Sequence, residues 1–353
     1  MLVSISHDQL FKNISGKPYW LVAVVSFEER ATAWASFLNS HEALPEKAFV
    51  FDYDTIAEPK DADTELRNQC RSVFTRTLNR QHKTAHFLKG VNAFAANSLT
   101  EQISSLINES AGLPVLIDIS CMTRVHLLAL AAGLRTRQTP EAELYFCYAA
   151  PVAYGFQRAN RIGWRDVLFI PAGKRRMFKR EGFSRGIILA GYDGERLSVA
   201  LQELEPASGT MIYAKNSARP DFLLKAHEAN EIVERRLREL RMPRANNPVE
   251  VSDDWKFEIV DVEDFEGLSS VLRKQVQMAL RDGGPVIVFP FGPKPMSLSI
   301  ALSLRDWDVG EAWAVYPVPD RFSVTYTQGV AELYVYRHEK TVLGEAATSS
   351  VGN

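Results

Sequence analysis

The sequence predicts an α/β fold: two tandem Rossmann-like parallel sheets with helices on both faces, related by internal duplication. Three observations predict it. Short apolar runs alternate with longer segments whose apolar residues recur at helical spacing. This strand-helix alternation implies parallel βαβ units joined by right-handed crossovers. The chain also repeats itself. The run Val22-Ala23-Val24-Val25-Ser26-Phe27-Glu28-Glu29-Arg30 matches Ile187-Ile188-Leu189-Ala190-Gly191-Tyr192-Asp193-Gly194-Glu195-Arg196, with Glu29-Arg30 on Glu195-Arg196, 166 residues on. Pro114-Val115-Leu116-Ile117-Asp118 matches Pro285-Val286-Ile287-Val288-Phe289, 171 residues on. The segment 145–151 matches 313–319, with Tyr148 on Tyr316, 168 residues on. Polar punctuation recurs along with the apolar runs, which unrelated α/β units would not share.

In the first repeat, strands are expected at 20–25, 48–53, 85–88, 115–119 and 143–149, and helices at 28–40, 62–80, 98–110 and 123–137. The helical period is clearest through Leu66, Cys70, Val73, Phe74 and Leu78. A short strand at 154–159 is expected to return along the sheet edge. The second repeat follows with strands at 187–191, 210–214, 257–261, 286–290 and 311–316. Its helices are expected near 195–204, 221–242, 267–282 and 295–305, and edge strands at 324–326 and 331–336 flank a Gln328-Gly329 turn. The expected boundaries are 1–165 for the first repeat, 166–186 for a basic linker, 187–340 for the second repeat and 341–353 for a flexible tail. The linker's Lys174-Arg175-Arg176-Met177-Phe178-Lys179-Arg180 reads as a solvated connection rather than a phosphate-contacting patch.

A chain of 353 residues has room for two or three domains. With 46% hydrophobic and 24% charged residues it can bury substantial cores and is not compositionally disordered. A formal charge of −2 argues against a cationic coat for general nucleic-acid binding. Cys70, Cys121 and Cys147 are too few and scattered for a disulfide framework or a zinc site, and suit a reducing cytoplasm. No apolar run nears the roughly 18 residues of a membrane span, and Met1 to Lys12 lacks the organisation of a signal peptide. A soluble cytoplasmic protein with no membrane partner is the expectation.

In an open parallel sheet, ligands bind outside the carboxyl ends of the strands, where helix N-termini favour anions. The loop after the fourth strand of repeat one, Asp118-Ile119-Ser120-Cys121-Met122-Thr123-Arg124, gathers an acid, two hydroxyls, a thiol and a guanidinium. Asp118 and Ser120 would also serve as simple caps. The matching loop in repeat two carries Gly292, which permits close backbone approach, and Lys294 beside stiffening prolines.

These residues resemble those of a known family. Asp118-Ile119-Ser120-Cys121-Met122-Thr123-Arg124 is similar to the strand-four loop of CARF domains, Rossmann-like sensors of cyclic oligonucleotides in prokaryotic defence. Thr123-Arg124 stands for a Thr-Lys pair, while Cys121 and Met122 replace glycines. Gly292-Pro293-Lys294-Pro295-Met296 resembles the end of the same pattern, with Pro293 in place of threonine and no preceding acid. Two fused CARF-like units also resemble SAVED domains, nucleotide sensors of related anti-phage systems. The resemblance implies a nucleotide or cyclic-oligonucleotide ligand; with no separate effector domain expected beside the two repeats, output is expected through a partner protein, and no cofactor is expected. It points to Ser120, Thr123, Arg124, Gly292 and Lys294, with Asp118 beside them. The first-strand loops add Ser26, Arg30, Tyr192 and Arg196 at the same edge, although each Glu-Arg pair would also serve as a helix-start ion pair worth on the order of 0.3–0.5 kcal/mol.

Other candidates carry less. Cys121 at a helix start would gain nucleophilicity, yet sequence fixes no partner for it, and His126 in the following helix would ordinarily pack or face solvent. His82 and His86 lack acidic co-ligands, so no metal site is expected. Arg235, Arg236, Arg238, Arg241 and Arg244 read as a solvated helix face. There is no Walker A loop, no Gly-x-Gly-x-x-Gly after the first strand and no Gly-x-Ser-x-Gly elbow. Three readings follow: a nucleotide sensor without catalytic residues, an enzyme that processes nucleotides using Glu28, Glu29 or Asp118 as acid or base, and a scaffold subunit of a defence complex.

Overall fold

The computed structural model describes residues 1–54, 57–58, 60–78, 84–93, 95–134, 142–154, 164–171, 184–239, 255–307, 309, 312–319 and 322–339. In the first half, β1 (Leu2–Ile5) and α1 (His7–Ile14) precede β2 (Trp20–Val25), α2 (Ala33–Ser40), β3 (Lys47–Tyr53), β4 (Ala57–Glu58), α3 (Lys60–Leu78) and β5 (Thr84–Val91). Then come α4 (Ala96–Glu109), β6 (Val115–Asp118), α5 (Arg124–Gly133), β7 (Leu144–Ala150), β8 (Ala153–Tyr154) and β9 (Trp164–Pro171). The second half runs β10 (Arg185–Ala190), α6 (Gly194–Leu204), β11 (Ser208–Lys215), α7 (Asp221–Glu239), β12 (Lys256–Asp261) and α8 (Phe265–Asp282). It ends with β13 (Val286–Pro290), α9 (Lys294–Asp306), β14 (Ala312–Pro319), β15 (Phe322–Ser323), β16 (Thr327–Gln328) and β17 (Glu332–His338).

Two large sheets result, ordered β1-β17-β7-β6-β2-β3-β5 and β12-β11-β10-β13-β14-β9. The five strands from β7 to β5 in the first, and from β12 to β14 in the second, are parallel. Numbered within its own half, each set runs 3-2-1-4-5, the Rossmann-like order with its switch point between strands one and four. The registers superimpose as well. Trp20 pairs with Val115 and Val115 with Leu144; Arg185 pairs with Val286 and Val286 with Ala312. Counting from these pairs places Pro114 on Pro285 and Tyr148 on Tyr316, as the repeat requires.

The edges depart from expectation. The strand expected at 331–336 in the second repeat is β17, and it joins the first sheet, where Tyr334 pairs with Tyr148. Conversely β9 follows the first repeat but joins the second sheet, where Leu168 pairs with Tyr316. The halves thus exchange an antiparallel strand, β9 at the edge of its sheet and β17 between β7 and β1, and β9 occupies the start of the interval expected to be linker. An edge strand's composition shows that it pairs, not with which sheet. Residues 324–326 form a turn between β15 and β16 rather than a strand. The Lys174–Arg180 cluster and the tail at 341–353 lie outside the described residues. β1 and α1, held by a Ser6-Gln9 capping box, carry no counterpart among the expected elements.

Helices α5 and α9 pack on each other at the seam between the halves. Val125 to Ala131 of α5 and Pro295 to Arg305 of α9 are buried without interruption. A helix apolar on all sides must be enclosed, and Ser297, Ser299, Ala301 and Ser303 keep α9 thin enough to be approached from every side. Each fully buried Leu or Ile here contributes about 1.5–3 kcal/mol of hydrophobic stabilisation. Among the described residues no helix is long and apolar enough to cross a membrane.

A candidate ligand cavity at the seam of the two units

The loops after the fourth strands meet at the seam and hold each other. Arg124 donates from Nη1 to Pro290 O (2.7 Å) and Ser297 Oγ (3.0 Å), and from Nη2 to Phe291 O (3.0 Å) and Gly292 O (2.5 Å). Lys294 returns the contact, its Nζ donating to Ser120 O at 2.6 Å. Each helix-start cation therefore caps carbonyls of the opposite unit. Gly292 serves the same junction: a Cβ there would sit 2.4 Å from Leu189 Cγ, and one on Gly191 would sit 1.9 Å from Phe291 O. Its missing side chain lets β10 and β13 close together, where the sequence suggested room for a ligand.

The first-strand loops occupy different environments. In unit one, Arg30 donates from Nε to Glu28 Oε2 (2.9 Å) and from Nη1 to Ala149 O (3.2 Å). The Thr327 hydroxyl donates to the same Glu28 oxygen. Arg30 and Glu28 are 1% and 9% exposed, so the pair is sealed. Burial opposes the Glu28 charge, but Arg30, Lys294 and Thr327 together hold its carboxyl below the ordinary range. In unit two, Asp193 caps α6 by accepting from Arg196 N (3.2 Å) and pairs with the Arg196 guanidinium, which also reaches Tyr316 Oη at 3.4 Å. That loop stays open to a cavity.

The cavity has a volume of about 430 Å³. Unit one contributes Arg30, Arg124, Tyr148 and Tyr154. Unit two contributes the Gly191–Arg196 loop, Phe222, Lys225 and Glu228 of α7, the loop from Phe291 to Lys294, and Tyr316. Phe322, Ser323 and Tyr326 come from the strap carrying β15 and β16, which also pair with β4 and β8 of unit one. Tyr192 stands at 5.0 Å from the Phe222 ring and 5.5 Å from that of Tyr154. Exposed aromatic faces beside cations suit a flat base joined to a phosphate. Burial and the neighbouring Arg30 lower the Lys294 ammonium to about 8.

Of the residues expected at the site, the cavity brings together Arg30, Arg124, Tyr192, Arg196, Gly292 and Lys294. Four others lie behind it. Ser26 Oγ accepts from Glu28 N at 3.3 Å. Asp118 is buried at the end of β6, which runs between β2 and β7. Its Oδ1 accepts from Ser120 N (2.9 Å) and from the Ser120 hydroxyl, whose Oγ in turn accepts from Ala149 N (2.8 Å). Burial pushes the Asp118 carboxyl up to about 6. Thr123 caps α5 and donates to Ala93 O at 2.8 Å.

The lesser candidates have packing surroundings. Burial raises the Cys121 thiol well above its ordinary value. His126 bridges Tyr53 Oη (2.9 Å) and Ala95 O (3.1 Å), and burial lowers it to about 4. His86 stacks on Phe49 at 5.3 Å, whereas His82, Arg241 and Arg244 lie outside the described residues. Arg238 lies over the Phe257 ring at 4.0 Å. Among the described residues no group of three His, Cys, Asp or Glu side chains is placed to hold a metal. Sequence reasoning used Tyr148 and Tyr316 as repeat markers but missed them as cavity residues, along with Tyr154, Phe322 and Tyr326. The signal was a tyrosine at one position of the fifth strand in both repeats.

No protein family and no curated protein matches the chain. Among solved structures it is similar to one described as a Type III CRISPR defence DNA nuclease activated by cyclic oligoadenylate. The TM-score is 0.48 with 10% identity, over 84% of this chain and 65% of that one, so the chain spans less than two thirds of that protein's length. A likeness of this degree bears on neither ligand nor activity.

Proposed function

We propose that this protein is a sensor subunit that binds a nucleotide or cyclic-oligonucleotide signal at the seam of its two Rossmann-like units and acts through a partner protein in anti-phage defence. One observation carries the reading: a cavity at the carboxyl ends of the strands in which Tyr192 and Phe222 stand beside Arg124, Arg196 and Lys294. Large aromatic faces and guanidinium groups are what base stacking and phosphate contact require. The defence setting rests on the resemblance of the strand-four loops to CARF domains, and the partner belongs to the same reading. The sensor reading is favoured over an enzyme because two of the acids proposed for catalysis have other work, Glu28 pairing with Arg30 and Asp118 fixing the Ser120 loop, and the third, Glu29, is exposed and does not line the cavity. Calorimetric titration of the full chain with mononucleotides and cyclic oligonucleotides tests it. Binding followed by recovery of unchanged ligand is the expected result; a folded sample that binds none of them contradicts the proposal.

A further inference from the structure

We infer that the cavity takes a single nucleoside monophosphate rather than a cyclic oligonucleotide of repeated, equivalent nucleotides. This rests on the nucleotide-binding reading above and narrows it.

A ring of equivalent nucleotides bound on the axis between duplicated units needs two equivalent contact surfaces. Only one of the two first-strand loops faces the cavity in this way. In unit one, Ser26, Glu28 and Arg30 are 4%, 9% and 1% exposed, with Thr327 of the strap bonded to Glu28. In unit two, Gly191 to Arg196 line the cavity, and Tyr192 is half-buried with its ring between Phe222 and Tyr154. The first-strand loop of unit two borders the cavity, and its counterpart in unit one is enclosed by the protein's own residues.

Size and charge placement agree. A volume of about 430 Å³ is near the lower end of the roughly 300–1,000 Å³ of small-molecule pockets. Among the described lining residues, Arg124, Arg196 and Lys294 stand against Asp193, Glu195 and Glu228, since Arg30 and Lys225 are already paired with Glu28 and Asp221. The charges are segregated. Arg124 and Lys294 belong to the seam, while all three carboxylates belong to the start of α6 and to α7. A ligand with its phosphate at the seam and its base against Tyr192 would present ribose hydroxyls and amino groups to those carboxylates, which can only accept.

The test is titration of the full chain with the four nucleoside 5′-monophosphates, the four nucleosides and cyclic tri- and tetra-adenylate. At least one monophosphate should saturate at one per chain, binding tenfold or more tighter than its nucleoside and than either ring. Tyr192→Ala and Lys294→Met should each weaken it tenfold or more. Phe222→Ala, at a half-buried position outside the cross-unit contacts, repeats the test should either variant unfold. A ring that binds tighter than every monophosphate, or two monophosphates per chain, overturns this inference and leaves the sensor reading standing. Monophosphate binding indifferent to all three substitutions overturns the placement. Failure of every probe to bind overturns the sensor reading itself.

Discussion

Arg30 and Arg196 hold matching places after the first strand of each repeat, yet they do different things. Arg30 is enclosed with Glu28 under Thr327, and Arg196 lies at the cavity with Asp193 and Tyr316. Each keeps its tyrosine: the Arg30 guanidinium lies 5.8 Å from the Tyr148 ring centre, and Arg196 bonds Tyr316. The same cation-aromatic pair thus occurs twice, and in unit one Glu28, Ala149 and the strap residue Thr327 enclose it. A residue's role here follows from what covers it rather than from the motif it belongs to.

The sharpest way to break this comparison is to remove each arginine. Arg30→Met leaves Glu28 buried without its cation and should cost about 3–5 kcal/mol in urea unfolding. Arg196→Met breaks a pair whose side chains are 18% and 29% exposed and should cost less than about 1 kcal/mol. Equal losses would remove the distinction. Arg124→Ala comes next, because it strips four acceptors of one charged donor at the seam. A loss of about 3 kcal/mol is expected, with Lys294→Ala nearer 1–2.

Asp118→Ala should cost about 1–3 kcal/mol by stranding the Ser120 amide and hydroxyl. The pH dependence has a definite sign. The Asp118 carboxyl is raised to about 6 in the folded protein, so its favourable contribution is full below the unfolded value near 4 and is lost as pH rises through 6. Asp118→Asn should remove that slope from the stability profile, whereas an unchanged slope would assign it elsewhere. The smallest effect concerns the ligand. Lys294 carries its charge below about pH 8, so affinity for an anionic nucleotide should decline above pH 8 by at most tenfold per unit, and Lys294→Met should flatten the decline.

Much of this was legible in the sequence, for physical reasons. Val22 to Val25 and Val286 to Phe289 are continuous apolar runs, as strands buried on both faces must be. Thr123 ahead of the apolar α5 marked a helix start that the structure keeps. What failed to show was non-local. Thr327 meets Glu28 across 299 residues, and neither residue's neighbours announce it. The exchange of β9 and β17 is invisible for the same reason, since alternation defines a strand but not its partner. Asp118 was correctly placed at the carboxyl end of its strand, but whether water reaches that end depends on the Ser120 loop folding back onto β7 through Ala149. Six expected residues do line the cavity, because strand ends and helix starts are local features.

The most direct test of the central claim is a crystal structure of the chain grown with a saturating nucleoside 5′-monophosphate. The account predicts one nucleotide per chain in the cavity at the seam, its base against Tyr192 and its phosphate toward Lys294. A nucleotide bound anywhere else, with the Tyr192 cavity empty, would contradict it.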